Sequence, residues 1–393
     1  MLTGGARGRK PIEGRRAILT CLRIAGDGIS QSELANRTGL TPAAICRLVS
    51  VMARDNWIHS TGQGQTTAVG GRPPTYLAMN ADARFALVAY VSVHRVELVK
   101  VNLAFDIEPV KVIQKTHCMP VDQLVELLVT EYGQCISGQA DKKRFCGMSV
   151  LLGGPVDHAR GLIGDSYNVH TEPDGFALAE ALRQRLRVPV VIDSEVSASL
   201  SGEMWSGAGS TCHHVAYVFY DDRGPVVSFC LNGELYRGGA GPAGQIDGFF
   251  FENTPGEKYG YHEGRLLPAA WLSEEEKRQV PVNTFIELNQ LARSDGANDP
   301  KVHRLLEQRL DLLARGMVNI CNLICPEVII LGGHLVELDA SSFEFIRQRV
   351  LHSAIRKIHV TNTQIVSGDL PFSKAVFIGG ASYLLNKWFE RSL

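Results

Sequence analysis

Between Gln31 and Trp57, apolar residues recur at helical spacing on both sides of a single glycine, Gly39. Ile45, Leu48, Val49 and Met52 fall at i, i+3, i+4 and i+7, so one face of a helix there is buried. Leu34 and Ala35 give a shorter helix its apolar contacts before Gly39 supplies the left-handed residue that stops it. Thr41 then reads as an N-cap and Pro42 as the first residue of the second helix. The short glycine turn predicts a helix-turn-helix. Upstream, Ile18, Leu19, Leu22 and Ala25 predict a helix over Pro11 to Ala25 packed behind it. Downstream, Trp57 to Ser60 and Tyr76 to Met79 read as two short strands joined by TGQGQTTAVGGRPP. A hairpin after the second helix is a wing, so residues 1–80 read as a winged helix-turn-helix.

From Ala81 the pattern changes to Val- and Leu-rich strand runs, Phe85 to Val93 and Val96 to Phe105. A helix is predicted from Val121 to about Gln139, and a buried strand from Phe145 to Leu152 ends in Gly153-Gly154-Pro155. Helix Phe176 to Leu186, strand Val188 to Asp193 and helix Glu195 to Trp205 follow. After Ser206 the order recurs. Strands Val215 to Tyr220 and Val226 to Leu231 precede helices Val282 to Arg293 and Val302 to Leu323, and strand Glu327 to Leu331 ends in Gly332-Gly333. Helix Phe343 to Ile355, a strand at Gln364 to Val366 and helix Lys374 to Phe389 complete the chain. Alternating strands and helices with paired leading strands specify α/β sheets. The expected division is therefore 1–80, 81–205 and 206–393. Ligands of such sheets collect beyond the carboxyl ends of strands, so a binding site is expected there.

Composition narrows the classes. At 393 residues, with 45% apolar and 21% charged positions, the chain is that of a multidomain globular protein. No apolar run approaches the roughly 20 residues that span a bilayer. Glu13, Arg15, Arg16 and Arg23 interrupt the N-terminal apolar residues, which argues against a signal peptide. Nine scattered cysteines without a CxxC pair favour reduced thiols in a cytoplasmic setting over a disulfide scaffold or zinc module. Cys321 and Cys325, at i and i+4, read as core residues.

Charge divides the chain as the patterning does. Up to Asn80 there are ten Arg or Lys against four Asp or Glu, while the remainder is acidic and brings the whole chain to −1. A basic head on an acidic body points to nucleic acid as the head's partner. On the second helix the face opposite the apolar stripe presents Ala43, Ala44, Arg47, Ser50 and Arg54. Small residues at its front allow close approach to base edges, and Arg47 reaches a guanine or a phosphate. Thr41 and Arg37 flank this face. Arg72, between Gly71 and Pro73-Pro74, is a candidate for the adjacent minor groove, or equally a phosphate contact or linker cation. The competing reading is a helical hairpin with a merely solvated basic face.

Four segments in this order, GGRPP (Gly70 to Pro74), GGPVD (Gly153 to Asp157), LNGELYRGGAGPAGQI (Leu231 to Ile246) and ILGG (Ile330 to Gly333), resemble the ROK family of repressors and sugar kinases, and within it the transcriptional regulators. The resemblance implies an actin-like, sugar-kinase-type body of the ribonuclease H kind in two α/β lobes. It also implies assembly as a homodimer or homotetramer, double-stranded operator DNA as partner, and an operator affinity set by a sugar or sugar phosphate. Gly154 and Asn168 match family positions near the sugar. Where the family has a catalytic Asp this chain has Glu195, one methylene longer, which reads equally as a helix-start carboxylate. A family Glu is replaced by Gln245.

The phosphate loops depart further. Ser92-Val93-His94-Arg95 contains neither glycine nor acid, and Tyr220 to Pro225 carries two carboxylates and a proline. The positions of the family's zinc ligands become Gly248, Lys258, Gly260 and Arg265, so neither a metal nor another cofactor is expected. The expectation is a non-catalytic, effector-sensing DNA-binding regulator. The alternatives are an active sugar kinase with atypical loops and a ligand-independent DNA binder.

Overall fold

The computed structural model describes residues 11–26, 28–63, 74–115, 118–164, 166, 168–221, 224–239, 243–244, 246, 280, 282, 284–294, 299–353 and 363–391. Helix α1 (Pro11–Ala25) leads to a two-residue strand β1 (Ile29–Ser30), then helices α2 (Gln31–Thr38) and α3 (Pro42–Arg54). Ser30 starts α2 by accepting from Glu33 N, and Gly39, at φ 68°, ends it by donating to the Ala35 carbonyl. Strands β2 (Ile58–Gln63) and β3 (Thr75–Met79) pair antiparallel, with a register shift between Ser60 and Gly62. β1 joins the free edge of β3, giving the sheet order β1-β3-β2. Ile18, Leu22, Leu34, Ile45, Met52, Trp57 and Leu77 form the buried interior of this head.

The first α/β sheet contains β4 (Phe85–Val91), β5 (Arg95–Asn102), β6 (Ile107–Gln114), β8 (Phe145–Leu152) and β12 (Val190–Ser194), in the order β12-β8-β4-β5-β6. β4, β5 and β6 form an antiparallel meander, and β8 runs parallel to β4. Between β6 and β8 lie β7 (Met119–Pro120), helix α4 (Val121–Cys135) and helix α5 (Gln139–Arg144). The single helix expected to about Gln139 is thus two, broken at Ile136–Gly138. The strand β6 was not foreseen. Its residues alternate poorly because it is an edge strand with five of its eight residues exposed to solvent. Short strands β9 (Val156–Asp157), β10 (Leu162–Ile163) and β11 (Val169–His170) and helix α6 (Leu178–Leu186) precede β12.

The second sheet repeats the plan. Helix α7 (Glu195–Ser206) leads to β13 (Val215–Asp221), β14 (Gly224–Leu231), β15 (Glu234–Tyr236), β16 (Val328–Gly333) and β17 (Gln364–Ser367). The order is β15-β14-β13-β16-β17. An antiparallel meander is again flanked by parallel strands on the side of its first member. In each sheet the fourth strand ends in a glycine pair, Gly153-Gly154 and Gly332-Gly333, whose second glycine has positive φ.

Two compact units contain these sheets. One spans residues 1–154, 160–193 and 380–393, and includes the winged head; the other spans 155–159 and 194–379. The chain passes from the first unit to the second at Asp193/Ser194, and the terminal helix Phe372–Arg391 starts in the second unit and ends in the first. In the second unit, the long helix Pro300–Ile324 buries Leu306, Leu313 and Met317 in a cluster with Ile329 and Leu331 of β16. Cys321 joins this core, but Cys325 is exposed, because the helix ends there and Cys325 takes the left-handed cap at φ 50°.

Candidate functional site

Two regions gather the residues singled out by sequence. The first is the exposed side of α3. Ile45, Leu48, Val49 and Met52 are buried, which turns Ala43, Cys46, Arg47, Ser50 and Arg54 outward, with Ala44 half-buried. The Thr41 hydroxyl accepts from Ala44 N at 3.2 Å and so starts the helix, which leaves its O–H free to donate. Ser50 Oγ donates to the Cys46 carbonyl at 2.8 Å, leaving its lone pairs outward. The cations differ in availability. Arg37 is held by Glu33 one turn back, and Arg54 lies 3.2 Å from Asp55. Arg47 has no ion-pair or hydrogen-bond partner among the described residues, so it is the cation this helix offers freely. Arg72 falls outside the described residues.

The head is joined to the first sheet by a residue that sequence reading passed over. Arg23, on the last turn of α1, donates from Nε to the Leu103 carbonyl at 2.7 Å and lays its guanidinium 3.8 Å above the Phe105 ring. Leu103 N donates in turn to the Ala81 carbonyl at 3.1 Å. Phe105 sits at φ 68° in the β5–β6 turn, and Asn102 Oδ1 fixes that turn by accepting from Ala104 N and Asp106 N. An arginine on an amphipathic helix gives no sequence sign of such a partner.

The second region lies in the same unit, beyond the carboxyl ends of β4 and β8. Gly154 has φ 110°, and a Cβ there would come within 2.6 Å of Ser166 Cβ. Ser166 Oγ accepts from Asn168 N and Val169 N, each at 3.2 Å, which curls the loop. Val169 and His170 pair in parallel with Met119 and Pro120, holding the loop against the segment after β6. Asn168 is 1% exposed, yet neither its amide nitrogen nor its amide oxygen has a hydrogen-bond partner among the described residues. Gly154 and Asn168, expected together from motifs 14 residues apart in sequence, are thus brought together through Ser166.

Lys115, just past β6, completes this region. It is 8% exposed, and its Nζ donates to the Asn168 carbonyl at 2.8 Å and the Ser92 carbonyl at 2.9 Å. Burial pushes the Lys115 ammonium below its ordinary pKa. Nothing in the run KVIQK distinguishes this lysine from the exposed Lys111 of β6.

The turn from β4 to β5, where a kinase would place its first phosphate loop, is closed on itself. Ser92 N donates to the Arg95 carbonyl at 2.9 Å, and Arg95 N donates to Ser92 Oγ at 3.1 Å. Two of the turn's amides are therefore already used. The corresponding β13–β14 hairpin pairs Asp221 directly with Gly224. Glu195 is the first residue of α7 and 2% exposed, and the preceding Ser194 caps that helix by accepting from Ser197 N at 3.1 Å. Gln245 and residues 248, 258, 260 and 265 lie outside the described residues. Among the described residues no group of three His, Cys, Asp or Glu could hold a metal ion, and no helix is long and apolar enough to cross a membrane.

A family model described as "ROK family" matches residues 99–253 and 269–387. The chain is 23% identical over 340 residues to the xylose repressor of Bacillus spizizenii, covering 82% of each. It is 22% identical over 364 residues to the DNA-binding transcriptional dual regulator NagC of Escherichia coli, covering 88% of this chain and 87% of that one. Among solved structures, a ROK family transcriptional regulator homologous to the E. coli MLC protein superposes with TM-score 0.74 at 16% identity, over 98% of this chain and 99% of that one. A ROK hexokinase from Thermus thermophilus superposes with TM-score 0.60 at 18% identity, over 78% of this chain and 99% of that one. The fold is therefore that of the sugar-kinase-like body with an additional N-terminal head.

Proposed function

The chain belongs to the ROK family, and on that premise we propose that it is a DNA-binding transcriptional regulator of the repressor kind, with a body that senses a sugar or sugar derivative without catalysis. Its relatives named as xylose repressor and as the regulator NagC support this reading. The observation that carries it is the outward face of α3, on which Arg47 is unengaged among the described residues while its neighbours Arg37 and Arg54 are tied to acids. In this reading residues 1–80 are the operator-binding head, with Arg37, Thr41, Ala43, Ala44, Arg47, Ser50 and Arg72 as its contacts. Residues 81–205 and 206–393 are the lobes of the sensor, and Gly154, Asn168, Glu195 and Gln245 are the residues assigned to effector binding. The protein acts in the cytoplasm as a homodimer or homotetramer, whose paired heads bind the two halves of an operator.

Regulation follows from linkage. An effector that favours one arrangement of the body changes operator affinity by the ratio of its affinities for the two arrangements. The closed β4–β5 turn supports the absence of kinase chemistry, because backbone amides that already bond within the turn cannot also cradle a phosphate.

The test is fluorescence anisotropy with DNA from upstream of the protein's own gene at moderate salt. Saturable binding is expected, and Arg47→Ala should weaken it by about 1–3 kcal/mol and change either base preference or the salt slope. Failure to bind any promoter fragment overturns the reading. ADP release from Mg-ATP with a sugar, abolished by Glu195→Ala, would overturn the non-catalytic part.

A further inference from the structure

We propose that Lys115, with Ser166, Asn168 and Val169, forms a receptor for the anionic group, phosphate or carboxylate, of a small ligand. That the ligand is sugar-sized rests on the reading of the body as a sensor; that it is anionic rests on the side chains themselves.

Lys115 is buried, and both partners of its Nζ among the described residues are neutral carbonyls, those of Ser92 and Asn168. An ammonium has three donors, so one is left over. The other two lysines that emerge from the same meander are matched by acids: Lys111 lies 2.7 Å from Glu131, and Lys100 lies 3.3 Å from Asp141. Lys115 has no carboxylate partner among the described residues. A desolvated cation is costly unless an opposite charge completes it. Its lowered pKa is the behaviour of an ammonium in that condition.

Asn168 makes the second, independent observation. Its backbone is satisfied at both ends, by Ser166 Oγ at the nitrogen and by Lys115 Nζ at the carbonyl, while its buried side-chain amide has no partner at either atom among the described residues. A buried amide without a protein partner gains most from polar groups that a ligand brings. A hydroxyl-bearing molecule would satisfy Asn168, whereas only an anion would also neutralise Lys115. Gly154 keeps the loop within reach, since any side chain there would displace Ser166. A charge-assisted bond is about twice as strong as a neutral one, so the anion rather than the hydroxyls would dominate selection.

The experiment is isothermal titration of the full chain with glucose, xylose, glucose 6-phosphate, glucuronate and inorganic phosphate. At least one anionic sugar is expected to bind at least about tenfold more tightly than its neutral parent. The 6-phosphate and the uronate distinguish phosphate from carboxylate. Lys115→Met should bring the anion's affinity down to that of the neutral sugar, and Lys115→Arg should retain most of the preference. Should the Met variant fold poorly, Asn168→Asp provides a separate measure. By placing a carboxylate beside Lys115 it is expected to raise the melting temperature of the unliganded protein and abolish binding of the anionic probe.

Equal affinity for neutral and anionic probes, a preference that survives Lys115→Met, or no binding by any probe overturns the assignment. Operator binding measured on the same samples separates the two readings, because its loss would count against the regulator and not against this receptor.

Discussion

Glu203 is fully buried in α7, and its carboxylate is held by main-chain amides alone among the described residues: Ala208 N donates to it at 2.8 Å, Leu370 N at 3.0 Å and Asp369 N at 3.4 Å. Gly207 makes room, since a Cβ there would come within 1.9 Å of Oε2. Burial raises the Glu203 pKa and the charge of Asp369 adds to the rise, outweighing the three amides. A carboxyl whose folded pKa exceeds its unfolded one binds its proton more tightly in the native state. Its contribution is therefore fully present below the ordinary glutamate range and is lost as pH climbs through the raised value. Urea unfolding at a series of pH values should show stability falling across that interval. Glu203→Gln should lack the fall and, having turned one acceptor into a donor facing an amide, should be less stable at the acid end by about 1–3 kcal/mol. Identical pH profiles for the two proteins would count against this account. Neither Glu203 nor Lys115 was legible in the chain, because what distinguishes them is burial, and that is set by loops far away in sequence. Asn168 and Gly154 were legible only through motif order, and no pattern announced that the Asn168 amide would be unpaired.

At the scale of elements, α7 and the start of the terminal helix cross at backbone contact. A Cβ on Gly202 would approach the Ala375 carbonyl oxygen to 2.2 Å, and one on Gly379 would approach that of Ala198 to 1.7 Å. Ala198 and Gly202 on one helix thus face Ala375 and Gly379 on the other, each pair four residues apart. Gly202→Ala is expected to cost at least about 2 kcal/mol through overpacking. Gly133→Ala, in α4 with open space around it, should instead stabilise by about 0.5–1 kcal/mol. Thermal melts of the two variants moving in the same direction would contradict this.

The same contrast explains which elements could be read. Helices with an apolar stripe and strands buried on both faces, such as α3 and β8, carry their periodicity openly. Strand β6 does not, because Glu108, Pro109, Lys111 and Val112 face solvent along an exposed edge. The two-residue β1 exists only because β3 leaves an edge for it. The alternation of the remaining elements, and hence the α/β class, was legible because each buries a regular stripe.

For the whole molecule, the repetition of one five-strand order in both sheets means that corresponding strand ends do different work. After β8 the glycine pair approaches Ser166 in the loop that holds Asn168, and at the end of β16 Gly333 packs against the Tyr220 carbonyl. The first sheet also links the two candidate regions, since β6 leads directly into Lys115 at one end and follows, at the other, the turn on which Arg23 rests. Arg23→Ala is therefore expected to leave effector affinity unchanged while reducing the effector's influence on operator affinity, a coupling ordinarily worth about 1–3 kcal/mol. Titrating operator DNA with and without saturating effector measures it, and an undiminished ratio would remove Arg23 from the linkage.

That seat of Arg23 on Phe105 also bears on how such heads can be exchanged between proteins. A chimera spliced after residue 80 would separate the guanidinium from the Leu103 carbonyl and leave Phe105 uncovered in the body that gave up its head. One that transplants residues 102–106 along with the head keeps both halves of the joint. The reading head and its socket are a single exchangeable part, although 80 residues of sequence separate Arg23 from Leu103.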